Sequence, residues 1–282
     1  MKSSVGETRQ PNRARRVSVI GAVLALVAIH AVVGPPAAAA PSFCKSTVFI
    51  GVRGTSAPAG STQAHDGRVW TSGGMGPQIA ALVATYKKLG YPTYFEALNY
   101  PASGVDYVSS VTTGASKLAK ELNWLATACG TTMPPVVIAG HSQGAQVILD
   151  ALGWASFPHG TQLTAKAKRM VRAVAVFGDP TYQRARPYNA PDAATARNGV
   201  FSRNLIVSEK LETDFSFYGW PMEANGPGTT YKIRSYCVAG DFFCQSDISD
   251  SSYAKHNSYK TVSMIAARNW IDYMLSEGGS PA

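Results

Sequence analysis

The sequence predicts an α/β fold in which a central, mainly parallel sheet of about five strands lies between two layers of helices. The apolar run 136–139 leads into Gly140-His141-Ser142-Gln143-Gly144, and helical spacing follows at once, which predicts a strand, a tight turn and a helix. Strand-like runs also alternate with helical segments along the chain. The connecting segments are long enough for the crossovers that parallel strands require.

The predicted strands are short runs rich in β-branched and aromatic residues, and they cover 47–52, 93–98, 136–139, 171–177 and 232–236. The first predicted helix begins at Pro77 and ends before Gly90, where capping preferences place these two residues. Apolar residues at steps of three and four predict a second helix over 105–127. A third helix follows Ser142, and a last one begins near Val262.

Two connections have no regular pattern. Residues 54–76 form a Gly/Ser-rich loop, and residues 181–231 form a long loop insertion rich in Pro, Gly and Asn. The second contains five large apolar residues: Phe215, Phe217, Tyr218, Trp220 and Met222. One hypothesis is that these side chains form an apolar flap over the substrate, and the alternative is a small satellite core under a long loop.

The first 40 residues have the pattern of a secretory signal peptide: a basic start, an apolar run and small residues up to Ala40. Arg15-Arg16 also fits a twin-arginine signal. Residues 41–282 are then sufficient for a single α/β domain, which is expected to be secreted, extracellular or in the cell wall. The net charge is +9, and the first 40 residues hold five of the 26 basic and one of the 17 acidic residues. This mild basicity suits an anionic cell-wall or membrane surface and gives no indication of nucleic-acid binding.

Four cysteines remain after cleavage, and in an exported chain they predict two disulfides. Three pairings are possible, and local closure favours Cys237–Cys244 together with Cys44–Cys129. A zinc site made of all four thiolates is the competing interpretation. The spacing lacks the closely spaced cysteine pairs that zinc sites use, so no metal is expected.

Ser142 is predicted to be a nucleophile, which needs a base and a carboxylate. His256 is assigned as the base because it lies in a loop before the final helix, where the chain passes the carboxyl edge of the sheet. Asp241 and Asp179 are both candidates for the carboxylate. Asp241 is preferred because a Cys237–Cys244 disulfide would hold its loop rigid. The other histidines are assigned no catalytic role: His141 is expected to pack beside the site, His65 to lie in an exposed loop and His159 to lie on the surface.

A tetrahedral intermediate would also need hydrogen-bond donors for its oxyanion. The backbone N–H of Gln143, directly after the nucleophile, is one expected donor. The second is expected in the loop after the first strand, where Thr55 offers both a backbone N–H and a hydroxyl. The alternative interpretation is that Ser142 is an ordinary residue of a strand-to-helix turn. Such a residue would not require oxyanion donors.

Several segments together resemble the cutinases and actinobacterial cutinase-like esterases. They are Cys44, residues 52–55, residues 99–102, the serine motif 140–144, Phe-Gly-Asp-Pro at 177–180, the Cys237–Cys244 segment and His256. The resemblance implies a compact, five-stranded α/β-hydrolase with two disulfides, a triad of Ser142, Asp241 and His256, and an oxyanion hole at Thr55 and Gln143. Many fungal members have tyrosine where this chain has His141, and their counterpart of 181–231 is shorter.

The expected function is a secreted serine esterase that hydrolyses carboxylic ester bonds of lipid-like or polyester substrates through an acyl-enzyme. It is expected to be a monomer without a cofactor. Alternatives on the same scaffold are an acetylxylan esterase, a phospholipase or a thioesterase. A non-catalytic cell-wall binding protein is the alternative from a different class.

Overall fold

The computed structural model describes residues 40–65, 68–155, 160–223, 226–259 and 262–276. The segment 1–39 of the expected signal peptide and His159 lie outside these residues. The strands are β1 Thr47–Val52, β2 Ser61–His65, β3 Arg68–Ser72, β4 Thr93–Ala97, β5 Val136–His141, β6 Val171–Phe177, β7 Ser216–Gly219, β8 Gly228–Tyr231 and β9 Ile233–Tyr236. The helices are α1 Pro77–Tyr86, α2 Tyr107–Ala128, α3 Gln143–Leu152, α4 Ala165–Met170, α5 Leu205–Asp214, α6 Phe242–Gln245 and α7 Val262–Ser276.

The central sheet has five strands in the order β4-β1-β5-β6-β9, and every neighbouring pair is parallel. This confirms the predicted fold class. All residues of β1 and β5 are buried, as expected for central strands that are covered on both faces. The carboxyl ends of all five strands meet at one edge of the sheet.

Two cores lie on the two faces of the sheet because successive side chains of a strand point to opposite sides. Val48, Ile50 and Val52 pack with the apolar faces of α2 and α3. Phe49 lies on the other face, in a core with residues of α1 and α7. None of the described helices is both long and apolar enough to cross a membrane.

The two connections without a regular pattern are partly ordered into secondary structure. The Gly/Ser-rich stretch 54–76 contains the antiparallel hairpin β2–β3, and 181–231 contains helix α5 and the hairpin β7–β8. The dipeptide Asp66-Gly67 is a strong hairpin signal and could have predicted the first of these. Helix α5 buries only Val207, Ser208 and Leu211, so its amphipathic pattern is too weak to identify from the sequence.

The structure contains the two disulfides that local closure favours. Cys44–Cys129 joins the segment before β1 to the end of α2 at a sequence separation of 85, whereas Cys237–Cys244, at a separation of seven, closes a short loop directly after β9. All four cysteines therefore form disulfides and leave no thiolate to bind a metal ion. The interpretation as a zinc site is wrong.

Candidate active site

Ser142 lies between the end of β5 and the start of α3, in a backbone conformation that side chains rarely adopt (φ 56°, ψ −124°). Its neighbouring glycines are required by close packing. A Cβ on Gly140 would lie 2.5 Å from the Ile148 side chain, and one on Gly144 would lie 2.2 Å from the Val52 carbonyl oxygen. The turn therefore holds the serine at the carboxyl edge of the sheet, at the amino end of a ten-residue helix.

His256 and Asp241 are directly hydrogen bonded. The His256 Nδ1 lies 3.0 Å from each carboxylate oxygen of Asp241. Asp241 directly precedes α6 and caps its amino end: its Oδ1 accepts hydrogen bonds from the backbone N–H groups of Phe243 (2.7 Å) and Cys244 (3.2 Å). Asp241 is completely buried, and Cys244 belongs to the short Cys237–Cys244 disulfide loop that contains Asp241.

Asp241 remains ionised although it is buried. Burial alone would raise the pKa of this carboxyl. The hydrogen bond and the charge interaction with His256, together with hydrogen bonds from Tyr259 and Cys244, outweigh burial and lower the pKa below its ordinary value. A carboxylate that accepts from Nδ1 favours the tautomer of His256 in which Nε2 carries no proton, as a general base requires.

Ser142 and His256 line the same cavity, which has a volume of about 640 Å³. Thr55 and His141 also line it, and large apolar side chains form much of the remaining wall: Pro58, Pro77, Tyr107, Phe201, Phe243 and Tyr253. The structure thus brings Ser142, His256 and Asp241 to one edge of the sheet, beside a concave, mostly apolar surface that is typical of a small-molecule site.

Asp179 has a different partner. Its Oδ2 forms an ion pair with the Arg203 guanidinium at 3.1 Å, and its Oδ1 accepts hydrogen bonds from the backbone N–H (3.0 Å) and hydroxyl (2.7 Å) of Thr181. Within the described residues, no hydrogen bond joins Asp179 to His256. The geometry therefore favours Asp241 over Asp179 as the partner of the imidazole.

Of the two expected oxyanion donors, Thr55 lines the cavity together with Ser142, and Gln143 directly follows Ser142 in the chain. Gln143 is the first residue of α3, and its side chain is fixed by the hydroxyl of Ser110 (3.0 Å) and the carbonyl of Ser103 (2.8 Å). The loop that carries Thr55 is held by the buried Arg53, whose guanidinium donates to the carbonyl oxygens of Ala57 (2.9 Å) and Leu98 (3.1 Å). Both donors thus lie on backbone whose position is set by buried hydrogen bonds.

His141 does pack beside the site, and it also makes a specific contact. Its Nε2 lies 2.9 Å from the backbone oxygen of His256, and the two ring centroids are 4.6 Å apart. Burial and the neighbouring His256 lower the pKa of His141 to about 3. The neutral ring therefore donates its Nε2–H to the carbonyl of His256 and holds the loop of the proposed base. His65 ends β2, and its side chain lies outside what the structure describes.

The apolar flap predicted from residues 215–222 is wrong. The hairpin β7–β8 joins the chain directly before β9, where Lys232 N donates to Phe215 O, and this is the amino end of the strand. Phe215 is buried in the core beneath α5, and none of the five residues lines the described cavity wall. Phe201, which the sequence analysis missed, supplies the aromatic wall from this segment and packs against Tyr107 at 5.3 Å.

The family model for Cutinase matches residues 43–275. The chain belongs to the cutinase family. Cutinase-family members are carboxylic ester hydrolases, and the serine site described above has the groups this chemistry needs.

The individual relatives share less than 30% sequence identity with this chain. Cutinase 11 of Verticillium dahliae is 28% identical over 75% of this chain and 68% of its own length. Acetylxylan esterase 2 of Talaromyces purpureogenus is 29% identical over 58% of this chain and 65% of its own length. The chain therefore spans about two thirds of the length of these curated relatives.

Solved structures show the same fold. The catalytic core domain of acetyl xylan esterase from Trichoderma reesei matches with a TM-score of 0.58 and 24% identity, over 83% of this chain and 99% of that one. A cutinase-like protein from Cryptococcus sp. matches with a TM-score of 0.54 and 17% identity, over 86% and 100% of the two chains.

Proposed function

We propose that the protein is a secreted serine esterase in which Ser142 is the nucleophile, His256 the general base and Asp241 the carboxylate that orients it. One observation carries the proposal: Ser142 and His256 line one cavity, and Asp241 is hydrogen bonded to the Nδ1 of that histidine. The cutinase-family match supports the same reaction.

The reaction has two halves. His256 Nε2 removes the proton of the Ser142 hydroxyl, whose oxygen attacks the ester carbonyl carbon. The oxyanion formed there accepts hydrogen bonds from the backbone N–H groups of Gln143 and Thr55, each worth about 3 kcal/mol of transition-state stabilisation. His256 then gives its proton to the leaving alcohol. Water, deprotonated by the same imidazole, hydrolyses the acyl-enzyme and restores Ser142.

A lipid-like or polyester substrate is favoured by the walls of the cavity. Aromatic rings and prolines make up about half of the wall beyond the catalytic groups, and such surfaces stabilise hydrocarbon chains by about 0.8 kcal/mol for each buried methylene. A second candidate, deacetylation of xylan, is supported by the relatives named acetylxylan esterase. Phospholipase and thioesterase activities would use the same catalytic groups.

Export is proposed from the signal-like first 40 residues, and the two disulfides are typical of proteins that fold in an oxidising compartment. The positive charge would favour contact with an anionic cell wall or membrane surface. We propose that the enzyme acts as a monomer without a cofactor.

Active-site labelling tests the esterase proposal. A fluorophosphonate should modify the folded mature chain at Ser142 and abolish turnover of p-nitrophenyl esters. The Ser142→Ala variant should be inert to both, and Ser263→Ala, a serine change on α7, should behave like the wild type. A folded protein that is neither labelled nor active would instead support the non-catalytic cell-wall binding alternative.

The substrate class is decided by kcat/KM across acyl chains from acetyl upward, measured beside acetylated xylan. A lipid-like preference predicts values that rise with chain length and level off where the cavity is filled. Acetylated xylan as the best substrate would select the second candidate.

A further inference from the structure

Tyr259 lies behind the catalytic carboxylate and takes no part in the cavity wall. It is fully buried, its hydroxyl lies 2.8 Å from Asp241 Oδ2, and the backbone N–H of Val238 donates to the same hydroxyl at 3.0 Å. An ionised carboxylate can only accept, so the hydroxyl of Tyr259 donates its single proton to Asp241 Oδ2. Burial and the negative charge of Asp241 raise the pKa of Tyr259 well above its ordinary value, so the phenol keeps this proton.

The two oxygens of Asp241 are held from different directions. Oδ1 accepts from the backbone N–H groups of Phe243 and Cys244, which belong to the disulfide loop. Oδ2 accepts from Tyr259, and His256 Nδ1 is equidistant from both oxygens. Apart from His256 itself, Tyr259 is the donor in the described structure that holds Oδ2. Without it, the plane of the carboxylate would be fixed on one side alone.

The ring of Tyr259 is held in place by packing against two other rings. It packs on Phe177, at the end of β6, with ring centroids 5.9 Å apart, and on His141 at 5.7 Å. These contacts connect the phenol to the strand end beside the nucleophile turn. The hydroxyl is therefore presented to Asp241 by rigid elements of the sheet, whereas the other two donors lie in the loop that carries Asp241.

We propose that Tyr259 is a positioning residue of the esterase reaction: it fixes the plane and the charge distribution of Asp241, and through Asp241 the orientation and tautomer of His256. The proposal rests on the proposed function of this triad. Tyr259 exchanges no proton during turnover. It acts as a permanent donor whose effect reaches the reaction only through Asp241.

Other ionisable groups near this network keep a constant charge over the working pH range. Burial and His256 lower the pKa of His141 to about 3, and burial raises the pKa of Tyr182 to about 12. Asp250 accepts the backbone N–H groups of Lys255 and His256, and these bonds outweigh desolvation and lower its pKa. A change in the acidic limb of the pH profile after substitution of Tyr259 therefore reports on Asp241 and His256.

The test compares Tyr259→Phe with Tyr86→Phe. Both substitutions remove a buried hydroxyl, but that of Tyr86 faces Thr93 Oγ1 at 3.3 Å, on an edge strand. For Tyr259→Phe we expect kcat to fall about tenfold, the effect of losing one charge-assisted hydrogen bond, with KM within about twofold. The acidic limb of kcat/KM should move to higher pH, because an Asp241 with one donor fewer stabilises the imidazolium more strongly. Tyr86→Phe should leave kcat and the pH profile unchanged.

A double-mutant cycle with Asp241→Asn separates positioning from packing. If Tyr259 acts through Asp241, its substitution should have little further effect on kcat in the Asp241→Asn background. An equal loss in both backgrounds, or a lowered melting temperature with an unchanged acidic limb, would overturn the proposal.

A readout independent of activity is the downfield proton resonance of the His256–Asp241 hydrogen bond. It should shift in Tyr259→Phe and not in Tyr86→Phe. If the wild type had no esterase activity but the resonance still shifted in Tyr259→Phe, the contact between Tyr259 and Asp241 would be supported and only the proposed function would be rejected. Activity without any shift would reject the role of Tyr259 only.

Discussion

Two buried aspartates follow neighbouring strands of the same sheet, and their partners give them different roles. Asp179 follows β6 and pairs with the guanidinium of Arg203, a group that keeps its charge at every working pH. Asp241 follows β9 and pairs with His256, whose charge would change during proton transfer in the proposed reaction. The comparison teaches that burial and location at the functional edge do not identify a catalytic carboxylate, whereas the chemistry of its partner does.

The largest difference should appear in kcat when each carboxylate is changed to an amide. Asp241→Asn should lower kcat on the order of 10⁴-fold, because an amide favours the wrong tautomer of the imidazole, as in the serine-protease triad. The measurement is steady-state hydrolysis of a p-nitrophenyl ester, with circular dichroism to show that the fold is retained. A larger loss of kcat in folded Asp179→Asn would reverse the assignment of the two residues.

Asp179→Asn should act on stability instead. The substitution leaves the buried Arg203 guanidinium without its main counter-charge, a change that typically costs 3–5 kcal/mol in the free energy of unfolding. Urea denaturation measures it, and the folded fraction should keep kcat within a few-fold of the wild type. A matched pair of changes, Asp179→Leu with Arg203→Met, should recover much of the stability, since no unpaired charge remains. An unaltered urea midpoint in the single variant would contradict this role.

The smallest expected effect concerns Asp150, whose Oδ1 lies 3.8 Å from Arg203 Nε. Burial raises the pKa of Asp150 to about 6, although the charge of Arg203 opposes the shift. A carboxyl whose pKa is raised on folding binds more protons in the native state, so its contribution to stability improves as pH falls from about 7 towards the ordinary value near 4.

Urea unfolding of the wild type and of Asp150→Asn at pH 7 and pH 5 measures this contribution. The stability of the wild type relative to the variant should rise at pH 5. A difference between the two proteins that is constant with pH would show that Asp150 does not titrate in this window.

The sequence predicted the features that are local in the chain. The five strand runs and the Gly140–Gly144 turn follow from apolar patterning and from steric limits, and the loop around Asp241 was recognised because two cysteines enclose it. Contacts between distant segments were not predictable in this way. The hydrogen bond of His141 to the carbonyl of His256 joins residues 115 apart, and Tyr259 meets Asp241 only because the last loop folds back against the end of β9.

The wrong flap has a physical reason that the sequence could have supplied. Residues directly before a parallel strand lie at its amino end, whereas residues directly after a strand lie at the carboxyl end where ligands bind. Phe215 to Met222 precede β9, so strand polarity places them away from Ser142. The backbone N–H of Phe201 donates to the carbonyl oxygen of Pro180, just after the carboxyl end of β6. This hydrogen bond places Phe201 beside the cavity.

The Cys237–Cys244 disulfide after β9 would make the proposed activity depend on the redox state of the compartment. In a reducing cytosol Cys237 and Cys244 would remain thiols, and the loop that aligns Asp241 would lack its covalent closure. If the chain is exported as proposed, a copy that folded before export would then be a poor ester hydrolase. On the proposed function, the disulfide would limit hydrolysis inside the producing cell, and recombinant protein made without oxidation should gain activity when the bond is formed afterwards.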